Sequence, residues 1–271
     1  MTGRYITRSL VLAAALLFTA LPARAQQAAG QQPFQPQVGQ AGKDVVWVPT
    51  PQELVNKMLD MAKVTPQDFV MDLGSGDGRT VITAARRGAR ALGIQYNPDM
   101  VGLSRKNAEA AGMTARATFR QADLFETDFS QAQVITMFLL PSINMKLRPT
   151  LLNLKPGTRV VSNTFTMEDW EPDESQTIGG ECSSWCTALL WIIPAKVEGT
   201  WSVGQNQLVL KQRFQMVSGS LGTNAISAGR LRGDEISFAV GNAKYTGRVD
   251  GNTMKGMISG GPGGTFTATR R

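Results

Sequence analysis

Val70-Met71-Asp72-Leu73-Gly74-Ser75-Gly76-Asp77-Gly78-Arg79 is an apolar run that ends in an acid and a turn with glycine at alternate positions, and it leads straight into a helical pattern. Glycines in such a turn let the backbone take positive φ and bring a ligand close to main-chain N–H groups that a Cβ would shield. This is the pattern of a nucleotide-type site at the end of a strand. Asp72 and Asp77 argue against the commonest occupant, because carboxylates flanking the loop repel a pyrophosphate. A cationic, phosphate-free ligand fits the charge better.

Outward from that turn, strands and helices alternate. Phe69 to Leu73 reads as a first strand, Arg79 to Arg87 as a helix stopped by Gly88, and Ala91 to Gln95 as a second strand. Asn97-Pro98 caps a helix that runs to Ala111, followed by strands at Ala117 to Arg120 and Val134 to Leu140. A short helix around Met145 to Leu154 precedes the turn Lys155-Pro156-Gly157 and a strand at Arg159 to Phe165. Upstream, Thr50-Pro51-Gln52-Glu53 has the form of a capping box before the apolar face Leu54, Val55, Met58, Leu59 and Met61. Repeated β-α units of this length predict a mostly parallel sheet with helices on both faces. The acidic stretch Glu168 to Glu174 reads as solvated loop, and Thr187 to Pro194 as a strand paired by hairpin with one near Ser175 to Ile178.

The pattern changes after Pro194. No helical period remains, and turn signals such as Gly222-Thr223-Asn224, Gly241-Asn242 and Asp250-Gly251-Asn252 recur about every ten residues. Gly229-Arg230-Leu231-Arg232-Gly233-Asp234-Glu235-Ile236 is echoed by Gly247-Arg248-Val249-Asp250-Gly251-Asn252-Thr253-Met254, one hairpin per copy. A small antiparallel meander or barrel of roughly six strands follows. Arg230 and Arg248 beside its turns could make a binding face, but they suit a solvated edge better. The predicted organisation is an α/β unit over residues 45–197 and an all-β unit over 198–271.

At the other end, Arg4 and Arg8 precede an apolar stretch from Leu10 to Leu21 and the small-x-small site Ala23-Arg24-Ala25. This is a signal-peptide pattern over residues 1–25, with an apolar core too short to span a bilayer, and it predicts export, to the periplasm in a bacterium. Residues 26–44 are rich in Gln, Ala, Pro and Gly and read as a flexible linker without chemistry. Of the 28 basic residues, three lie in the leader, which leaves 25 against 21 acids and lowers the net charge from +7 to about +4. The remaining cations are scattered, so nucleic-acid binding is not indicated. The sequence has no histidine, which excludes His-based triads and most zinc sites, and no metal is expected. Cys182 and Cys186 are the only cysteines; in an exported chain they can form a disulfide, or stand as two thiols on either side of a turn.

In a doubly wound sheet, ligands bind at the carboxyl ends of the strands where strand order reverses. Three strand ends here offer complementary groups to one adenosine: the Gly74–Gly78 turn; Gln95, whose carbonyl can accept from a ribose hydroxyl; and Asp123-Leu124, with a carboxylate for an adenine amine and an apolar side chain for its ring. Asp72 to Arg79, Gly93-Ile94-Gln95-Tyr96-Asn97-Pro98 and Gln121-Ala122-Asp123-Leu124-Phe125 resemble the first three cofactor motifs of class I S-adenosylmethionine-dependent methyltransferases. Phe138 to Pro149 and Leu154 to Ser162 resemble the branch that includes protein-lysine methyltransferases acting on ATP synthase subunit c. The resemblance covers residues 45 to 195, and the tail looks lipocalin-like in size and pattern.

The resemblance implies a Rossmann-like domain that binds S-adenosylmethionine. Asp72, Gly74, Ser75, Gly76 and Gly78 would hold its methionine part, Gln95 the ribose where the family usually carries Glu or Asp, and Asp123 with Leu124 the adenine. Phe138, Pro141 and Asn144 are the candidates nearest the methyl acceptor, with core packing competing for the first two and a helix cap for Asn144. No residue stands out as a base, since in-line displacement from a sulfonium needs chiefly positioning. The implied function is methyl transfer to a protein, with lysine among the acceptors, or to a small molecule. The alternative is a non-catalytic exported module that keeps the fold and binds a ligand or partner through its β tail.

Overall fold

Alternation of buried and exposed side chains decides which face each strand presents. The computed structural model describes residues 1–3, 34–180, 182–261 and 263–271. The signal-peptide reading for residues 4–25 and the linker reading for 26–33 lie outside the described residues. From Phe34 to Arg271 the chain packs as one unit.

The α/β part contains β1 (Phe69–Leu73), β2 (Arg90–Gln95), β3 (Ala117–Gln121), β4 (Val134–Met137), β5 (Arg159–Asn163), β6 (Glu174–Thr177) and β7 (Thr187–Ile192), in the order β3-β2-β1-β4-β5-β7-β6. The first five are parallel and β7 and β6 run antiparallel at one edge. Helices α1 (Gln52–Met61), α2 (Arg79–Arg86), α3 (Pro98–Ala110) and α4 (Pro141–Leu151) cover the sheet. Val70 of β1 buries with α1, α2 and α3, whereas Met71 and Leu73 bury with α4, as strand periodicity requires. Strand order reverses between β1 and β4, so the crevice for a ligand falls at their carboxyl ends.

Two helix starts differ from the sequence reading. Pro51 stands at the N-cap of α1, which has no side-chain cap. The Thr50 hydroxyl instead faces the Asn163 amide at 3.3 Å, so the capping box does not form. α4 begins at Pro141 rather than near Met145, because proline's fixed φ suits the first helical position and its missing N–H costs nothing there. Asn97 does cap α3, accepting from Asp99 and Met100 N–H.

The C-terminal part is larger than the six strands expected. β8 (Gly199–Val203), β9 (Asn206–Arg213), β10 (Met216–Leu221), β11 (Asn224–Ala225), β12 (Ser227–Arg232), β13 (Glu235–Val240), β14 (Ala243–Asp250), β15 (Thr253–Ser259) and β16 (Gly264–Arg270) form one antiparallel sheet. β16 pairs with β8 and β9 with β10, which closes eight strands into a barrel; the short β11 continues β12 along β10. Closure removes the free edges an open meander would expose. Trp201, Leu210, Leu231, Phe238, Met254 and Phe266 belong to its core.

The acidic stretch after β5 is not a solvated loop but the contact between sheet and barrel. Trp170 is fully buried, donates from its indole to Gln215 Oε1 at 2.9 Å, and stacks on Phe214 at 5.7 Å. Gln215 returns a bond to the Glu171 carbonyl, and Asp169 pairs with Arg148 and Arg213. Asp173, its side chain fully buried, accepts from Ile192 N–H and from Arg230. Arg230 is therefore an anchor, while Arg248, paired with Asp234 and Glu235, fits the solvated-edge reading. Trp170→Ala should lower stability by about 3–5 kcal/mol in urea unfolding, with Trp170→Phe milder; a loss below about 1 kcal/mol, the scale of a surface substitution, would mean that the barrel docks without it.

Candidate functional site

A cavity of about 500 Å³ opens at the carboxyl edge of the parallel strands. Its floor is the β1 turn. Gly74 and Ser75 both donate to the Ile94 carbonyl, at 2.9 and 3.0 Å, and Gly78 N–H closes on Ser75 O at 2.8 Å. Gly74, Gly76 and Gly78 all have positive φ, +81°, +54° and +85°. At Gly76 the requirement is also steric, because a Cβ would stand 2.7 Å from the Trp47 indole nitrogen. Gly78 does not line the cavity; a Cβ there would meet Phe119, so this glycine serves helix-to-strand packing. Ser75 Oγ is buried and, among the described residues, has no hydrogen-bond partner.

Asp72 lies beneath the turn, buried, and accepts from Thr136 Oγ1 at 2.6 Å. Burial pushes its carboxyl up to about 7 against the pull of the Thr136 hydroxyl, and the charge on Asp77 adds to the rise. Asp77 itself is turned toward Arg79 at 2.6 Å, and Arg79 reaches on to the Thr50 carbonyl. Among the described residues no Lys or Arg pairs with Asp72, so its carboxyl beneath the turn has only the Thr136 hydroxyl as a side-chain partner.

At the end of β2, Gln95 lines the cavity; its Oε1 accepts from Tyr96 N–H at 2.8 Å and from Asn97 N–H at 3.5 Å, which fixes the carboxamide by its oxygen. At the end of β3, Asp123 accepts from Phe125 N–H at 2.9 Å and from the Lys43 ammonium. The Lys43 bond, followed by the Phe125 bond, holds the Asp123 carboxyl below its usual range. Leu124 lies beside it on the wall.

Lys43 belongs to the segment read from sequence as a linker without chemistry. Residues 40–50 instead cross the cavity mouth as a strap, pinned by Gly39 N–H to Trp47 O and Trp47 N–H to Gln40 O. The apolar run Val45-Val46-Trp47-Val48 is the one sequence signal that could have marked it.

Of the three residues expected near an acceptor, only Phe138 lines the cavity. Pro141 is exposed at the start of α4. Asn144 is fully buried and donates at 3.2 Å to the carbonyls of both Phe165 and Thr166, so it positions the Phe165 backbone rather than touching a ligand. Phe165 and Trp185, missed in the sequence, line the cavity beside Phe138. Cys182 and Cys186 are joined in a disulfide that carries Trp185 in its loop.

Chains with this strand order and a glycine turn at the switch point have the class I S-adenosylmethionine-dependent methyltransferase fold, and this is one of them. A family model described as the ANTKMT methyltransferase domain matches residues 72–174. A protein-lysine N-methyltransferase of Saccharolobus islandicus is 46% identical over 133 residues, 48% of this chain and 83% of that protein. The mouse adenine nucleotide translocase lysine N-methyltransferase is 38% identical over 120 residues, 44% of this chain and 52% of the relative, so this chain spans about half the mouse protein's length. Among solved structures, an RNA methyltransferase from Salinibacter ruber in complex with S-adenosyl-L-homocysteine is 50% identical, covering 55% of this chain and 96% of that one with a TM-score of 0.52. The chain belongs to the ANTKMT methyltransferase family.

The Asp72 carboxyl gives a pH test. Its folded value, about 7, lies above its ordinary 3.8, so between these values the folded state holds a proton the unfolded state has lost. Stability contributed by this group falls as pH rises through that window and levels off above it. The melting temperature of Asp72→Asn relative to wild type should therefore rise between pH 4 and 7; a constant difference would place the Asp72 carboxyl in its ordinary range.

Proposed function

We propose that this chain transfers a methyl group from S-adenosylmethionine to a lysine side chain of a protein, and that it does so after export. The observation that carries the reading is that Asp72, the Gly74–Gly76 turn, Gln95 and Asp123 line one cavity in the order of their strands. The residues fit the cofactor. The turn's geometry excludes a Cβ at Gly76, and Asp72 matches an α-ammonium. Asp123 can accept from an adenine amine where Lys43 now donates, Leu124 can pack on the ring, and the Gln95 carboxamide, its oxygen held by Tyr96 and Asn97 N–H, can donate from Nε2 to a ribose hydroxyl.

S-adenosylmethionine supplies a methyl group already activated on a sulfonium sulfur. The chain's part is to hold the acceptor in line and exclude water. With the cofactor held there, its sulfonium would give up the methyl to an in-line acceptor nitrogen whose ammonium proton had already passed to solvent. With an ordinary lysine value near 10.4, that proton loss makes burial of the amine useful, because desolvation favours the neutral form. The relatives named as lysine methyltransferases support this choice of acceptor. The amino-terminal leader pattern supports export, and the Cys182–Cys186 disulfide suits an oxidising compartment.

The test uses the chain from Gln26 onward, with calorimetry for S-adenosylhomocysteine and mass spectrometry of lysine-containing peptides incubated with S-adenosylmethionine. Wild type should bind and methylate, while Gly76→Val should weaken binding by about a hundredfold or more, some 2.7 kcal/mol. Binding without transfer to any acceptor would favour a non-catalytic module, and no binding at millimolar concentration would end the methyltransferase reading.

A further inference from the structure

Strand order sorts the cavity into two halves. β3, β2 and β1 bring Asp123, Gln95 and the glycine turn to one side of the switch point. β4, β5 and β7 bring Phe138, Phe165 and Trp185 to the other, since β7 is antiparallel and begins where β5 ends, with Asn163 opposite Ala188. Phe138 stacks on Phe165 at 5.8 Å and meets Trp185 edge-on at 6.0 Å. Two of the three are held from behind: Ser162 and Asn144 hold the Phe165 backbone carbonyl at 2.8 and 3.2 Å, and Trp185 rides in the five-residue disulfide loop.

Trp185 also has φ +55°, a conformation a bulky side chain adopts only when its surroundings impose it. The Cys182–Cys186 bond supplies that constraint, with Cys186 O anchored to Ile178 N–H at 2.9 Å and both cysteines packed on the core under α1 and α2. The indole nonetheless remains 43% exposed, available to a ligand in the cavity it lines.

We propose that Phe138, Phe165 and Trp185 form the wall that receives the methyl acceptor, that this wall selects a primary amine on an unbranched hydrocarbon stem, and that the disulfide is the device that sets Trp185 in place. The inference rests on the lysine reading and adds the residues that select lysine. Aromatic faces attract an ammonium on arrival, and the same rings pack along a methylene stem. None of the three carries a charge that would recruit an anionic acceptor.

The experiment measures initial rates of tritium transfer from labelled S-adenosylmethionine to a set of lysine-containing peptides, together with the S-adenosylhomocysteine Kd. The variants are Trp185→Ala, Trp185→Leu, Trp185→Phe and the double change Cys182→Ala with Cys186→Ala; wild type is also assayed after dithiothreitol. Loss of the indole or of the disulfide should raise KM about tenfold with kcat within about twofold. Trp185→Phe should stay within about threefold of wild type, and Trp185→Leu, which keeps apolar bulk but has no π face, should behave like Trp185→Ala. The cofactor Kd should not move. Unchanged KM in Trp185→Leu and in the disulfide variant would overturn the proposal, as would an equal loss in cofactor Kd, which would put Trp185 on the cofactor's side. Wild type that binds S-adenosylhomocysteine but methylates no lysine peptide would overturn the lysine reading and this proposal with it; methylation at equal KM in every variant would overturn this proposal alone.

Discussion

Two backbone N–H groups converging on the Ile94 carbonyl hold the first strand's turn in its path, and the site depends on that fixture. Donation from Gly74 and Ser75 bends the chain out of β1 across the end of β2. The positive φ at Gly74, Gly76 and Gly78 lets it continue into α2, with no Cβ at Gly76 to strike Trp47 and none at Gly78 to strike Phe119. Ser104 locks the bend from below by donating to Gly76 O at 2.8 Å, and Asn107 does so by donating to Asp77 O at 2.9 Å. Both donors lie on α3, so the helix that follows β2 is part of the same fixture. Asp72, beneath the turn, is left as a carboxyl whose charge is costly until something cationic or polar faces it.

The rest of the molecule frames this edge. On one side the strap brings Trp47 against Gly76 and Lys43 against Asp123. On the other, the β5–β7 connection carries both the aromatic wall and, through Trp170 and Asp173, the contact with the barrel. Trp191 joins these roles: its indole donates to Trp170 O at 2.8 Å from the strand that begins just after the disulfide. The barrel is thus built onto the same β5–β7 segment that carries Phe165 and Trp185.

The sequence made the β1 to β3 side of the cavity readable because its determinants are local. Glycines at alternate positions, an Asn-Pro cap and strand-end carboxylates each mark themselves within a few residues, and they specified β1 to β3 with their helices. The aromatic side of the cavity and the strap depend on partners far along the chain: Lys43 and Asp123 are 80 residues apart, and Trp170 and Gln215 are 45 apart. A run of acids such as Glu168 to Glu174 reads as solvent-facing until Arg213 and Arg230 are known to lie opposite. Barrel closure was hidden for a related reason. Met216 to Leu221 carries serine and glycine where alternation would be sought, and only its two-sided pairing with β9 and β12 makes it a wall strand.

A crystal structure of the protein saturated with S-adenosylhomocysteine would show where each part of the cofactor lies. Adenine should sit against Asp123 and Leu124 with Lys43 displaced, the amino-acid end on the Gly74–Gly76 turn above Asp72, and sulfur facing Phe138 and Trp185. A ligand with its adenine among Phe138, Phe165 and Trp185, or a cavity that stays unfilled at saturating concentration, would contradict this placement.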